Sequence, residues 1–127
     1  MCPQPMQPPF VNMYLGDLMP YFAELADAEI GQITKACAAY WATGEIPDFG
    51  DRAVRAAWHI AQSMIDKSFE AYNRARLQNA YKVHKRECKK NGVEPIPAEA
   101  WTFDAWRDWT RQKAAAEELE EFVEGQY

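Results

Sequence analysis

His84 and Cys88 stand four residues apart in a helical stretch, which sets an imidazole and a thiol on one face and makes half of a zinc site. A structural zinc takes four ligands, and the others would have to come from Cys2, Cys37 or His59, none at a ligand-like spacing. No metal is expected. Cys88 is flanked by Arg86, Lys89 and Lys90, whose charge favours a reactive thiolate without making it catalytic. His59 follows Trp58 with no nucleophile or orienting carboxylate supplied by the pattern, so it reads as a half-buried packing residue. Asp48 and Asp51, or Asp104 and Asp108, sit at helix starts, where capping accounts for them. There is no phosphate loop, no GxSxG and no HExxH, so catalytic residues and cofactors are expected to be none.

Charge is the stronger signal. Residues 1–73 carry 4 basic and 9 acidic groups, residues 74–90 carry 7 and 1, and residues 91–127 carry 3 and 9; the sums −5, +6 and −6 add to the net −5. The middle segment holds Arg74, Arg76, Lys82, Lys85, Arg86, Lys89 and Lys90, with Gln78, Asn79 and Tyr81 between them, spread around the helix. Cations near a helix C-terminus favour its dipole, and cations with an aromatic can also hold phosphates and stack a base. The competing expectation pairs this strip, within one chain or between two, with Glu117, Glu118, Glu120, Glu121 and Glu124. Trp101, Trp106 and Trp109 form the second cluster: aromatic anchors suit a partner surface, and a terminal helix is also where a small domain closes its core.

The elements that carry these groups follow from period and punctuation. Residues 1–13 form a Pro-rich arm with Pro3, Pro5, Pro8 and Pro9, and residues 14–127 are expected to make a single helical domain. A run from Phe10 to Tyr14 can pair as a strand or pack as an arm. Leu15, Leu18, Phe22 and Leu25 share one side of a short helix over 14–25. Asp27 should cap a second helix ending at Thr43, with Ile30, Ile33, Cys37, Tyr40 and Trp41 as its stripe and Gly44 as a left-handed stop. The loop 44–50 should plug the core with Ile46 and Phe49. Asp51 then opens one very long helix over 51–90, its stripe Val54, Trp58, Ala61, Ile65, Phe69 and Tyr72 thinning to Ala80, Val83 and Cys88, so that self-association along its uncovered half is expected. A Trp-rich, acidic terminal helix follows.

The fold class is all-α. In 127 residues with only 6 Gly and 48% apolar residues, a β-sandwich or a glycine-rich nucleotide fold has no support, while one core does. Three cysteines without a CxxC read as reduced thiols of an intracellular protein, and no apolar run approaches the ~18 residues of a membrane span. No membrane association is expected.

The run Leu25-Ala26-Asp27-Ala28-Glu29-Ile30-Gly31-Gln32, then Tyr40-Trp41-Ala42-Thr43-Gly44-Glu45-Ile46-Pro47-Asp48-Phe49, with Ala57 to Ile60, Met64-Ile65-Asp66 and Tyr72, resembles small helical proteins of unknown function carried by phages and prophages. Some of these are similar to the N-terminal region of phage replisome organisers. The resemblance implies a cytoplasmic site in a bacterial host. Relatives of this kind often continue into a Gly/Lys-rich tail, whereas this chain turns at Gly92 and Pro95 into a Trp-rich helix. Two expectations follow. The first is a non-enzymatic phage accessory protein that binds a host or phage protein through Trp101, Trp106 and Trp109, of the anti-CRISPR kind that inhibits a nucleic-acid-handling defence enzyme; a homodimer fits it. The second is a replication-associated module that touches DNA through residues 74–90.

Overall fold

The computed structural model describes residues 3–125, so Cys2 and Tyr127 lie outside the described residues. Four α-helices, α1 (Leu15–Phe22), α2 (Asp27–Thr43), α3 (Arg52–Asn91) and α4 (Phe103–Glu124), and a short 3-10 turn at Ala98–Ala100 make up its regular structure, with no strand among the described residues. The chain is all-α, with one very long central helix and a Trp-bearing terminal one. Its contacts fall into two compact units: Met6–Tyr72, the N-terminal unit, and Asn73–Tyr127 with Met1–Pro5, the C-terminal unit.

In the N-terminal unit the core gathers Leu18 of α1, Ile33 of α2, and Val54, Ala57, Trp58, Ala61 and Met64 of α3. The expected stripes of α2 and early α3 supply most of it, because residues three and four apart lie on one helix face. Phe10 to Tyr14 forms no strand and packs as an arm. Its backbone N–H groups at Asn12 and Tyr14 donate to Ser68 Oγ (3.1 Å) and Met64 Sδ (3.4 Å), and Trp41 Nε1 holds the Pro8 carbonyl at 2.8 Å.

Caps set the helix limits. Asp51 Oδ2 accepts from the Val54 N–H at 3.1 Å, as expected of an N-cap. Asp27 does not cap α2; it is the first helical residue, and the preceding Ala26 donates its N–H to Glu29 Oε1 at 2.9 Å. That is the half of a capping box open to an alanine. Gly44, at φ +76°, stops α2 by donating its N–H to the Tyr40 carbonyl. Of the two expected loop plugs, Phe49 packs edge-on against Trp58 at 6.3 Å, but Ile46 is 68% exposed, since the turn leaves only one of them facing the core.

Candidate nucleic-acid interface

The second half of α3 is built around a histidine. Counting ~100° per residue, Ala80, His84 and Cys88 line up on one edge, and all three are buried. His84 is stacked on Trp101 (4.7 Å between ring centres), meets Trp109 edge-on at 4.8 Å and faces Tyr81 at 6.0 Å. His59, expected to be half-buried, is exposed; the buried packing histidine is His84. Burial pushes the His84 imidazole below its ordinary value, while Glu87 pulls the other way. Its Nε2 accepts from the Ile96 N–H at 3.0 Å, which assigns the proton of the neutral ring to Nδ1.

The linker after α3 explains how this core is closed. Gly92, at φ +68°, donates to the Lys89 carbonyl and Val93 to the Cys88 carbonyl, a Schellman stop. The chain then runs back along α3. Ile96 meets His84, the Tyr81 hydroxyl donates to the Ile96 carbonyl at 2.6 Å, and Trp101 Nε1 donates to the Leu77 carbonyl at 2.9 Å. Thr102, not Asp104, caps α4, accepting from the Ala105 N–H at 3.1 Å; Asp104 instead pairs with Arg107. From there α4 advances alongside α3 in the same direction: Arg76 lies over Phe103 and Trp106, His84 meets Trp109, and Lys113 Nζ reaches Glu87 Oε1 at 2.7 Å.

This parallel packing decides where the charges go. Lys113 beside Glu87 is an offset of 26 positions, so α3 ends at Asn91 level with Glu117. Glu118, Glu120, Glu121 and Glu124 therefore lie past the end of α3 instead of beside its cations. The pairing expected within one chain is absent among the described residues: none of the five glutamates forms an ion pair there. The one acidic group of the strip, Glu87, is held by Lys113 on the α4 side.

Nor do the cations spread around the helix. Arg74, Lys82, Arg86 and Lys90 climb in steps of four or eight with Lys85 and Lys89 beside them, within an arc of about 160° turned away from His84. All six are exposed, and none has an ion pair among the described residues; Lys85 lies 5.0 Å from the Tyr81 ring centre. Arg76 differs. It is half-buried, and its Nη1 donates to the Gln4 carbonyl (2.6 Å) and to Asn73 Oδ1 (3.1 Å). It belongs to the packing of the unit more than to the ridge.

The expected protein-contact residues fare differently too. Trp101 (7% exposed) and Trp106 (9%) are core, and Trp109 is half-buried against His84, because the returning linker and the first turns of α4 close the uncovered flank of α3. Partner contact through the first two indoles is corrected accordingly. Cys88 is buried as well, which shields the thiol that its cationic neighbours were expected to activate. Its Sγ lies 3.8 and 3.7 Å from Nδ1 and Nε2 of His84, within the reach of a sulfur hydrogen bond, and no group of three or more His, Cys, Asp or Glu among the described residues can hold a metal ion. Nor is any described helix long and apolar enough to cross a membrane.

Residues 13–95 match a family model, and they take in α1, α2, all of α3 and the ridge. The chain belongs to the family of unknown function DUF6291. No curated protein and no solved structure matches it. The tryptophan lid and α4 lie beyond the residues shared with DUF6291.

Proposed function

We propose that this protein is a non-enzymatic nucleic-acid-binding module of the replisome-organiser-like kind, carried by a phage or prophage and working in the bacterial cytoplasm. The observation that carries this reading is the ridge of six exposed cations on α3, which has no acidic partner among the described residues. The ridge extends over ~24 Å at ~1.5 Å per residue, enough to follow several phosphates along one backbone. Its six cations are directed at phosphates, and the exposed Gln78 and Asn79 within the same arc are the amides that could reach base edges.

Fluorescence anisotropy with labelled single- and double-stranded oligonucleotides tests it. Four to six phosphate contacts give a plot of log affinity against log salt with a slope of roughly −4 to −5 on duplex. The variant K82E/K85E/R86E/K89E should bind at least about 100-fold more weakly with an unchanged circular dichroism spectrum. Absence of binding at low salt, or binding unaffected by the four reversals, overturns the reading.

A second reading keeps the anti-CRISPR type of protein that inhibits a host nuclease. It draws on apolar side chains left open in the N-terminal unit, Phe10 at 72%, Leu15 at 68% and Met19 at 57% exposed. An apolar surface of this kind suits a protein partner. Capture of a nuclease that is lost with Leu15→Glu and kept with the four ridge reversals would favour it.

A further inference from the structure

We infer that the groove between α3 and α4 beside the ridge receives an unstacked base, so that the nucleic acid bound there is single-stranded. This rests on the reading of the ridge as a phosphate track and adds where a base goes. The groove has a volume of about 290 Å³ and is lined by Arg76, Asn79, Ala80 and Val83 of α3 and by Trp106 and Trp109 of α4, all within the C-terminal unit. Val83 is 41% exposed and Trp109 is half-buried, so part of this apolar lining meets water. Position ties it to the ridge. Counting ~100° per residue, Val83 stands about 20° from Lys90, about 40° from Asn79 and about 60° from Arg86 around α3. The lining begins where the cations end. A strand whose phosphates follow Lys82, Arg86 and Lys90 therefore carries its bases past the mouth of the groove, each one sugar away from its phosphate. A duplex would first have to unpair and unstack a base to do the same.

Charge around the groove agrees with an anionic ligand. Arg76 lies over the Phe103 and Trp106 rings (5.9 and 5.6 Å), and Lys113 over the Trp109 ring at 5.0 Å. Glu87, the one acid of the ridge segment, is held by that lysine at 2.7 Å. Asp104 and Asp108 sit on the far side of α4, each about 160° around the helix from Trp106, where they pair with Arg107 and Arg111. Glu117 lies about 12 Å beyond Trp109 along α4, at ~1.5 Å per residue. Among the described residues, then, no carboxylate without a cation borders the groove. Indole walls and a cationic flank fit a flat ring joined to a phosphate, which is a nucleotide. The exposed Asn79 amide at the mouth offers both a donor and an acceptor to the edge of that ring.

Two labelled probes, an oligothymidine and an abasic strand of the same length, separate base from phosphate when their binding to the full chain is compared at matched salt. The oligothymidine should bind roughly 5- to 150-fold more tightly, the worth of one stacked base, while both probes weaken with salt along the same slope. It should also quench tryptophan emission, which the abasic strand leaves unchanged. Val83→Gln, a neutral change at an exposed position, should bring the oligothymidine down toward the abasic value, with circular dichroism and duplex affinity unchanged. Equal affinity for the two probes, or a base preference untouched by Val83→Gln, overturns the inference and leaves the phosphate reading standing; binding of neither probe overturns both. Duplex affinity that falls as far as that of the oligothymidine in the variant, or self-association of the native chain that Val83→Gln abolishes, puts something other than an unstacked base in the groove and overturns the inference as well.

Discussion

The first half of α3 buries Val54, Ala57, Trp58, Ala61 and Ile65 against helices that precede it, while the second half buries Ala80, His84 and Cys88 under a segment that follows it. Aliphatic side chains fill the N-terminal core by volume. The C-terminal core is aromatic, its one imidazole wedged between indoles and tied to a linker amide. The indole polar atoms differ in the same sense. Trp58 Nε1 is buried with no acceptor among the described residues, whereas Trp101 Nε1 has the Leu77 carbonyl. A helix face that looks too polar to be core becomes core when each polar atom is given a partner and flat rings are laid over it.

Truncation in either core should have the largest effect. Trp106→Ala should cost about 3–5 kcal/mol and Ile65→Ala about 2–5 kcal/mol in urea denaturation. A Trp106→Ala loss below about 1 kcal/mol would mean that the indole closes nothing. The two helix stops come next. Gly44→Ala and Gly92→Ala each force a side chain into the left-handed region and should cost about 1–2 kcal/mol apiece, one in each unit, as a matched shift in thermal midpoint would show. The gentlest lever is pH. Burial holds the folded His84 below the ordinary 6.5, so on acidification the unfolded chain takes up a proton that the folded chain refuses. Stability present above that value is lost as pH falls through it toward the folded-state value. His84→Gln should flatten this slope in denaturant titrations from pH 7.5 to 5.5; an unchanged slope would refute the assignment.

The helices of the N-terminal unit were legible because their signals are local. Asp51, Gly44 and the three- and four-residue recurrence of Ile33, Val54, Trp58 and Ile65 act within a turn or two of themselves. His84 was not legible as core, since a period search scores histidine as polar and leaves Ala80 and Cys88 as a thinning stripe. The signal was there in the i, i+4 spacing of those three residues and the cluster of tryptophans downstream. The direction of α4 was harder still. Its linker, residues 92–102, can span up to ~36 Å at ~3.3 Å per residue, long enough to return along α3 and restart in the same direction, whereas a short loop would have forced a hairpin. Without that direction the five glutamates look like natural partners for the cations, and the ridge looks neutralised.

Parallel packing of α3 and α4 also adds their backbone dipoles where an antiparallel pair would cancel them. Both negative ends emerge together, next to five carboxylates, while six cations lie along the flank behind them. The C-terminal unit is thus a small permanent electric dipole, and the field of any polyanion exerts a torque on it before contact. In such a field the unit would turn flank-first, its acidic tip trailing into solvent.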